Sequence, residues 1–161
     1  MTGALRRIPG VGVTRAAISV APAEYLQALS VDHTTNEGRP SRTVMTWSPD
    51  GGSIVFSAVR GDRQQLFVRA LDQLEAAPIA DTEGAIGPFF SPDGRWLGFW
   101  SRGALRKVPF GSTGPATTIC QAAQFFGASW GADDSIVFSQ SRDGLWRVPG
   151  AGGPPQRLTA P

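Results

Sequence analysis

Residues Gly127-Ala128-Ser129-Trp130-Gly131 have the G-x-S-x-G spacing of a hydrolase nucleophile elbow, where a serine on a strained strand-to-helix turn attacks an acyl carbon. That chemistry needs an acid and then a histidine later in the chain, and the only histidine, His33, lies far upstream. After Gly131 comes Asp133-Asp134-Ser135-Ile136-Val137-Phe138, a turn signal leading into a β-branched run rather than into a helix. Ser129 is therefore not read as a nucleophile, and the chain is expected to be no enzyme and to have no catalytic residue. His33 sits in the polar stretch "VDHTTNEGRPSR" and reads as a solvated loop side chain. A lone histidine is a poor metal site, so no metal and no cofactor is expected.

The composition bounds the class of fold and of partner. Among 161 residues there are 20 Gly and 13 Pro but only 17% charged residues, the profile of a turn-rich chain that leans towards β structure. The 15 basic residues outnumber the 13 acidic ones slightly, and they are dispersed arginines plus the single lysine, Lys107. Such dispersal forms no basic block, so nucleic acid is not an expected partner. The single cysteine, Cys120, allows no internal disulfide and reads as a buried small hydrophobe in "TTICQ". No apolar run is long enough for a spanning helix, so this segment is not expected to insert into a membrane. Arg6-Arg7 could open a twin-arginine signal, but Pro9, Gly10, Gly12 and Arg15 interrupt the apolar stretch that should follow.

The internal repeat organises the rest. Trp47-Ser48-Pro49-Asp50-Gly51 aligns with Phe90-Ser91-Pro92-Asp93-Gly94 and with Trp130-Gly131-Ala132-Asp133-Asp134. Each turn precedes a strand, at Ser53–Ser57, Arg95–Phe99 and Ser135–Ser139. A third strand recurs at Gln65–Arg69, Ala104–Val108 and Gly144–Val148, and a fourth, looser one at Ala77–Ala80, Ala116–Cys120 and Pro155–Thr159. Four short strands repeating at roughly 40 to 45 residues is the period of a β-propeller blade. The turn chemistry agrees: Pro49 and Pro92 pre-set φ, Asp50, Asp93 and Asp133 bond local N–H groups, and Gly51 and Gly94 take the exit conformation. These residues are structural turn-formers, and a calcium loop would need more oxygen ligands close in sequence. Phe56, Phe67, Trp96, Phe99, Phe138 and Trp146 lie in the repeated strands, where side chains pack between blades.

The segments "WSPDG", "FSPDG", "LFVRALDQLEAAPIADTEGA", "GPFFSPDGRWLGFW", "GASWGADDSIVF" and "GLWRVPGAGGPPQRLT" resemble PD40 repeats, relatives of the TolB propeller and similar to WD40 repeats. The resemblance is specifically to the propeller that follows the membrane span in many bacterial serine/threonine protein kinases, and it covers about residues 43 to 160. The opening "VTRAAISVAP" looks like the strand that begins such propellers. No Trp-Asp dipeptide occurs, and no kinase signature is present, so kinase activity is not carried over to this chain.

The expected fold is all-β: three four-stranded antiparallel blades of an incomplete β-propeller with an extra N-terminal strand. Residues 1–42 would supply that strand and a connecting loop (residues 21–42), and residues 43–161 the blades, at about 43–82, 87–120 and 125–160. Propellers close with about 4 to 8 blades. Either further blades follow Pro161, the favoured expectation, or two copies pair into a six-bladed ring, and self-association is expected of an uncapped array.

The family implies a non-catalytic binding or sensor module of a receptor-like kinase, placed outside the cytoplasm in the periplasm. A TolB-like envelope scaffold and the propeller cap of a prolyl-oligopeptidase-type peptidase are the alternatives. Arg60, Arg63, Arg102 and Arg142 follow the second strand of each blade in corresponding loops, so they are the candidate ligand-binding residues. Arginines converging on one rim would select an acidic protein, peptide or glycan.

Overall fold

A computed structural model describes residues 18–27, 44–140 and 144–159, and thirteen strands run through them. Strands β1 (Tyr25–Leu26), β2 (Met45–Trp47), β3 (Ser53–Arg60), β4 (Arg63–Ala70) and β5 (Ala77–Pro78) form the first sheet. The second holds β6 (Ile86–Phe90), β7 (Trp96–Ser101), β8 (Ala104–Pro109) and β9 (Thr117–Gln121). The third holds β10 (Gly127–Trp130), β11 (Ser135–Ser139), β12 (Leu145–Pro149) and β13 (Gln156–Arg157). Within each sheet the strands of the repeat pair antiparallel in chain order, which is the meander of a propeller blade. The blades stack side by side and stay open: among the described residues no strand of the first sheet packs against one of the third.

Among the described residues an N-terminal strand occurs where a connecting loop is expected. Within "VTRAAISVAP" the described residues, from Ile18 on, form no strand, whereas Tyr25–Leu26 pairs with Val59 and Ala58 of β3 inside the stretch read as connecting loop. β3 is long enough to carry β2 beside Ile54–Phe56 and β1 beside Ala58–Val59 on the same edge. Glu24 secures the segment by accepting a hydrogen bond from the Gly61 N–H (3.0 Å).

The pleat decides the packing, because alternate side chains leave opposite faces of a sheet. Hairpin closures from Ser48 to Ser53, Ser91 to Trp96 and Gly131 to Ser135 fix the structural register between blades. Ile54 therefore corresponds to Leu97, not to Trp96, because the first two closures have equal span, and to Ile136 because the third turn is one residue shorter. Phe56, Phe99 and Phe138 fall at one position and are all buried, each facing back along the array. Phe56, with Ile54 and Phe67, packs under Ile18, Val20 and Ala23. Phe99 and Leu97 meet Val55 and Leu66 of the first blade. Phe138 and Ile136 meet Trp100 and Leu105 of the second. Burying one such phenylalanine stabilises by about 1.5–3 kcal/mol. Trp96 and Trp146 are half-buried. Cys120 belongs to the seam between blades two and three, and burial pushes its thiol up to about 11, which keeps it protonated and inert.

The forward faces reveal what the array lacks. Leu66, Leu105 and Leu145 occupy one structural position; the first two are fully buried, while Leu145 at the open end is 43% exposed. At the other end Trp47 is 50% exposed, yet its counterpart Trp130 is only 8% exposed.

One backbone irregularity shapes the second seam. Between Ile86 and Phe89 strand β6 bulges by one residue, with Gly87 at φ 58° followed by Pro88, which has no N–H for the ladder. A Cβ on Gly87 would run into the Phe125 ring. Gly87→Ala should therefore cost about 2–4 kcal/mol, combining left-handed backbone strain with overpacking. Chemical denaturation checks this, and an unchanged midpoint would refute it. Exposure at the two end blades leads to a further expectation: the chain self-associates at micromolar concentration, and Leu145→Glu raises the monomer fraction in sedimentation velocity. A fully monomeric wild type would refute that.

Candidate binding surfaces

Two ends of each blade project from the stacked sheets, and short turns determine what each carries. At one end stand the Ser-Pro-Asp-Gly turns. The Gly51 N–H donates to the Ser48 carbonyl (2.8 Å) and the Gly94 N–H to the Ser91 carbonyl (2.9 Å), closing the four-residue turns. Each aspartate locks its turn from within. Asp93 Oδ1 accepts from the Ser91 hydroxyl (2.6 Å) and the Arg95 N–H (3.0 Å), and Asp50 Oδ1 accepts likewise from Ser48 and the Gly52 N–H.

In the third turn Gly131 replaces that serine, and the hydroxyl comes from Ser135, which donates to Asp133 Oδ1 at 2.7 Å. Asp134 occupies the left-handed position that Gly51 and Gly94 fill, at φ 58°. These bonds hold Asp50, Asp93 and Asp133 below the ordinary carboxyl value. For Asp93 the Ser91 hydroxyl, then the Arg95 N–H and side chain, bring it from 3.8 to about 2.

At the opposite end lie the β3–β4 and β7–β8 hairpins. Arg60 and Arg63 face one another across the first, closing a two-residue Gly61-Asp62 loop. Arg102 is itself a loop residue in the second, at φ 51° between the paired Ser101 and Ala104. The three arginines are exposed, and among the described residues none has a side-chain partner. They occupy corresponding loops but different rungs, because the first hairpin extends two pairs further, through Val59–Gln64 and Arg60–Arg63. Arg142 and His33 lie outside the described residues.

Ser129 lies within β10, opposite Val137, on extended backbone with its side chain exposed. That is a ladder position and not a strained strand-to-helix elbow. Among the described residues no helix is long and apolar enough to cross a membrane.

Sequence reasoning did not anticipate a cleft of about 440 Å³ beside the turns of blades two and three. Trp96, Lys107 and Trp130 line it together with the exposed Asp93, Arg95 and Asp134. Lys107 Nζ donates to the Gly150 carbonyl across the seam at 2.7 Å and stands 4.4 Å from the centre of the Trp96 ring and 5.9 Å from that of Trp130. Asp134 accepts from the Trp130 indole N–H (2.9 Å), and Asp93 pairs with Arg95. The one available signal was that the chain's only lysine falls in a repeated strand where the first blade has Val68.

No family model and no curated protein matches the sequence. Solved structures do match. A TolB from Agrobacterium tumefaciens aligns with a TM-score of 0.63 at 21% identity, over 73% of this chain and 46% of that one. TolB from Acinetobacter baumannii aligns with a TM-score of 0.61 at 20% identity, over 73% of this chain and 32% of that one. The β-propeller domain of the Trilobed protease from Pyrococcus furiosus aligns with a TM-score of 0.50 at 12% identity, over 67% and 40%. The chain thus spans less than half the length of each of these proteins. With the open stack of four-stranded meanders, these likenesses establish the fold as β-propeller blades of the TolB type.

The turn carboxylates generate a pH expectation. A carboxyl that titrates lower folded than unfolded adds stability that is fully present above its ordinary value of 3.8 and is lost as the pH falls through about 2. Tm should therefore drop as the pH falls through that window. Asp93→Asn keeps an acceptor but cannot titrate, so its Tm should fall less steeply. Parallel slopes in calorimetry would refute the assignment.

Proposed function

We propose that this chain is a non-catalytic binding module whose principal ligand is acidic and meets the hairpin end carrying Arg60, Arg63 and Arg102. The observation that carries this reading is the exposure of three guanidinium groups, without side-chain partners among the described residues, on corresponding loops of adjacent blades. Opposed like charges such as Arg60 and Arg63 cost stability in a β ladder, and an anion placed between them relieves that cost. Guanidinium is also the side-chain group best shaped to hold a carboxylate or phosphate in two-point fashion. Arg142, between β11 and β12 in the sequence, is a further candidate on sequence position alone.

The parent protein we favour is a bacterial receptor-like serine/threonine kinase, with this module as its extracytoplasmic sensor. The TolB likenesses support the neighbouring reading, an envelope interaction scaffold. The Trilobed protease propeller keeps the peptidase cap as a further reading. Flanking coding sequence separates them: a kinase domain and an apolar span upstream support the sensor, and an α/β-hydrolase domain downstream supports the cap.

Titration calorimetry with Glu- and Asp-rich peptides, at low and at physiological salt, tests the ligand class. The wild type should bind acidic peptides more tightly than neutral ones, and more weakly as salt rises. Arg60→Glu combined with Arg102→Glu should weaken binding by about tenfold or more. Unchanged binding in that variant, or a wild-type preference for neutral or basic peptides, would refute the proposal.

A further inference from the structure

The seam between blades one and two is closed where its successor is open. At the first seam Val68 and Phe90 join an apolar cluster, Phe90 packs edge-on against Phe110 (ring centres 4.7 Å apart), and Pro49 of one turn reaches Gly94 of the next. At the second seam Lys107 stands where Val68 stands, Trp96 takes the place of Ser53, and Trp130 that of Phe90. The result is the 440 Å³ cleft, within the size range of small-molecule sites. A lysine that served only to staple two sheets would need no space in front of it.

From this arrangement we infer that the cleft is a second binding site, distinct from the arginine rim, and that it takes an uncharged, hydroxyl-rich ligand such as a neutral oligosaccharide. Its four charged groups balance, with Asp93 and Asp134 against Arg95 and Lys107, so the cleft carries no net charge that would select an anion or a cation. A cationic ligand is further disfavoured because Lys107 already occupies the place over both indole rings that such a ligand would seek. Ammonium and guanidinium donors next to carboxylate acceptors are what closely spaced hydroxyls require, since each hydroxyl both donates and accepts. Lys107 covers part of the Trp96 indole, and the half-exposed remainder of that ring supplies an apolar surface for the C–H groups of a sugar.

The test uses the whole chain. Neutral oligosaccharides of glucose and of N-acetylglucosamine are titrated while tryptophan fluorescence and heat are followed, with uronic-acid oligomers as the charged comparison. Saturable binding of a neutral oligosaccharide, insensitive to salt, is expected. Trp96→Ala should weaken it by about tenfold or more. Ala151→Tyr, which fills the mouth from an exposed position, should do the same without touching the core. Circular dichroism checks the fold of each, and Ala151→Tyr suffices if Trp96→Ala unfolds. Arg60→Glu with Arg102→Glu should leave sugar binding unchanged, so failure at the rim and failure at the cleft are distinguishable. The inference is overturned if no neutral oligosaccharide binds, if uronic acids bind more tightly in a salt-sensitive way, or if both cleft variants bind like the wild type.

Discussion

Everything in this fold depends on the need of each sheet to bury two faces. A four-stranded meander with aromatic and aliphatic side chains on alternate positions cannot leave either side to water, so a blade is stable only between neighbours. Phe56, Phe99 and Phe138 show the rule for the rearward face, and Leu66 and Leu105 for the forward one. The first blade meets the requirement with a piece of its own chain, Ile18, Val20 and Ala23, held by Glu24 and by the short β1 ladder. The second blade is covered on both sides by its neighbours. Trp47 and Leu145 are where the requirement goes unmet.

The turns solve a different problem, the satisfaction of backbone donors in a four-residue reversal. Two blades solve it with a serine two residues before the aspartate, and the third with a serine two residues after it. Moving the hydroxyl across the turn accompanies the loss of one residue and the placement of Asp134 where glycine stands elsewhere. Asp134 is then free to accept from the Trp130 indole, so the shortened turn and the open seam belong to one local rearrangement.

This arrangement also shows which parts of the structure could be read in advance. Blade number and the turn positions were legible because Ser-Pro-Asp-Gly works through its own backbone and needs no distant partner. Register was less so. The strand ranges Ser53–Ser57 and Arg95–Phe99 set Trp96 beside Ile54, and only the hairpin closure of Ser91 on Trp96, against Ser48 on Ser53, reveals the one-residue offset. β1 could not be foreseen, since Tyr25-Leu26 is two residues long and is strand only because β3 extends past β2. That Arg60, Arg63 and Arg102 fall at hairpins was legible, but not that Arg60 belongs to a paired rung while Arg102 belongs to a turn. The cleft was invisible, because Trp96, Lys107 and Trp130 are brought together by the stacking of two blades and by no local pattern.

Because each sheet, among the described residues, packs only against its immediate neighbours, local stability follows position along the stack. The second blade, with a seam on each side, should be the slowest part of the molecule to exchange amide hydrogens. The outer strands β12 and β13, where Leu145 and, just past β13, Leu158 meet solvent, should exchange fastest among the paired strands. The molecule therefore has a gradient of opening that runs outward from its middle blade, with the cleft seam on the side towards the looser third blade.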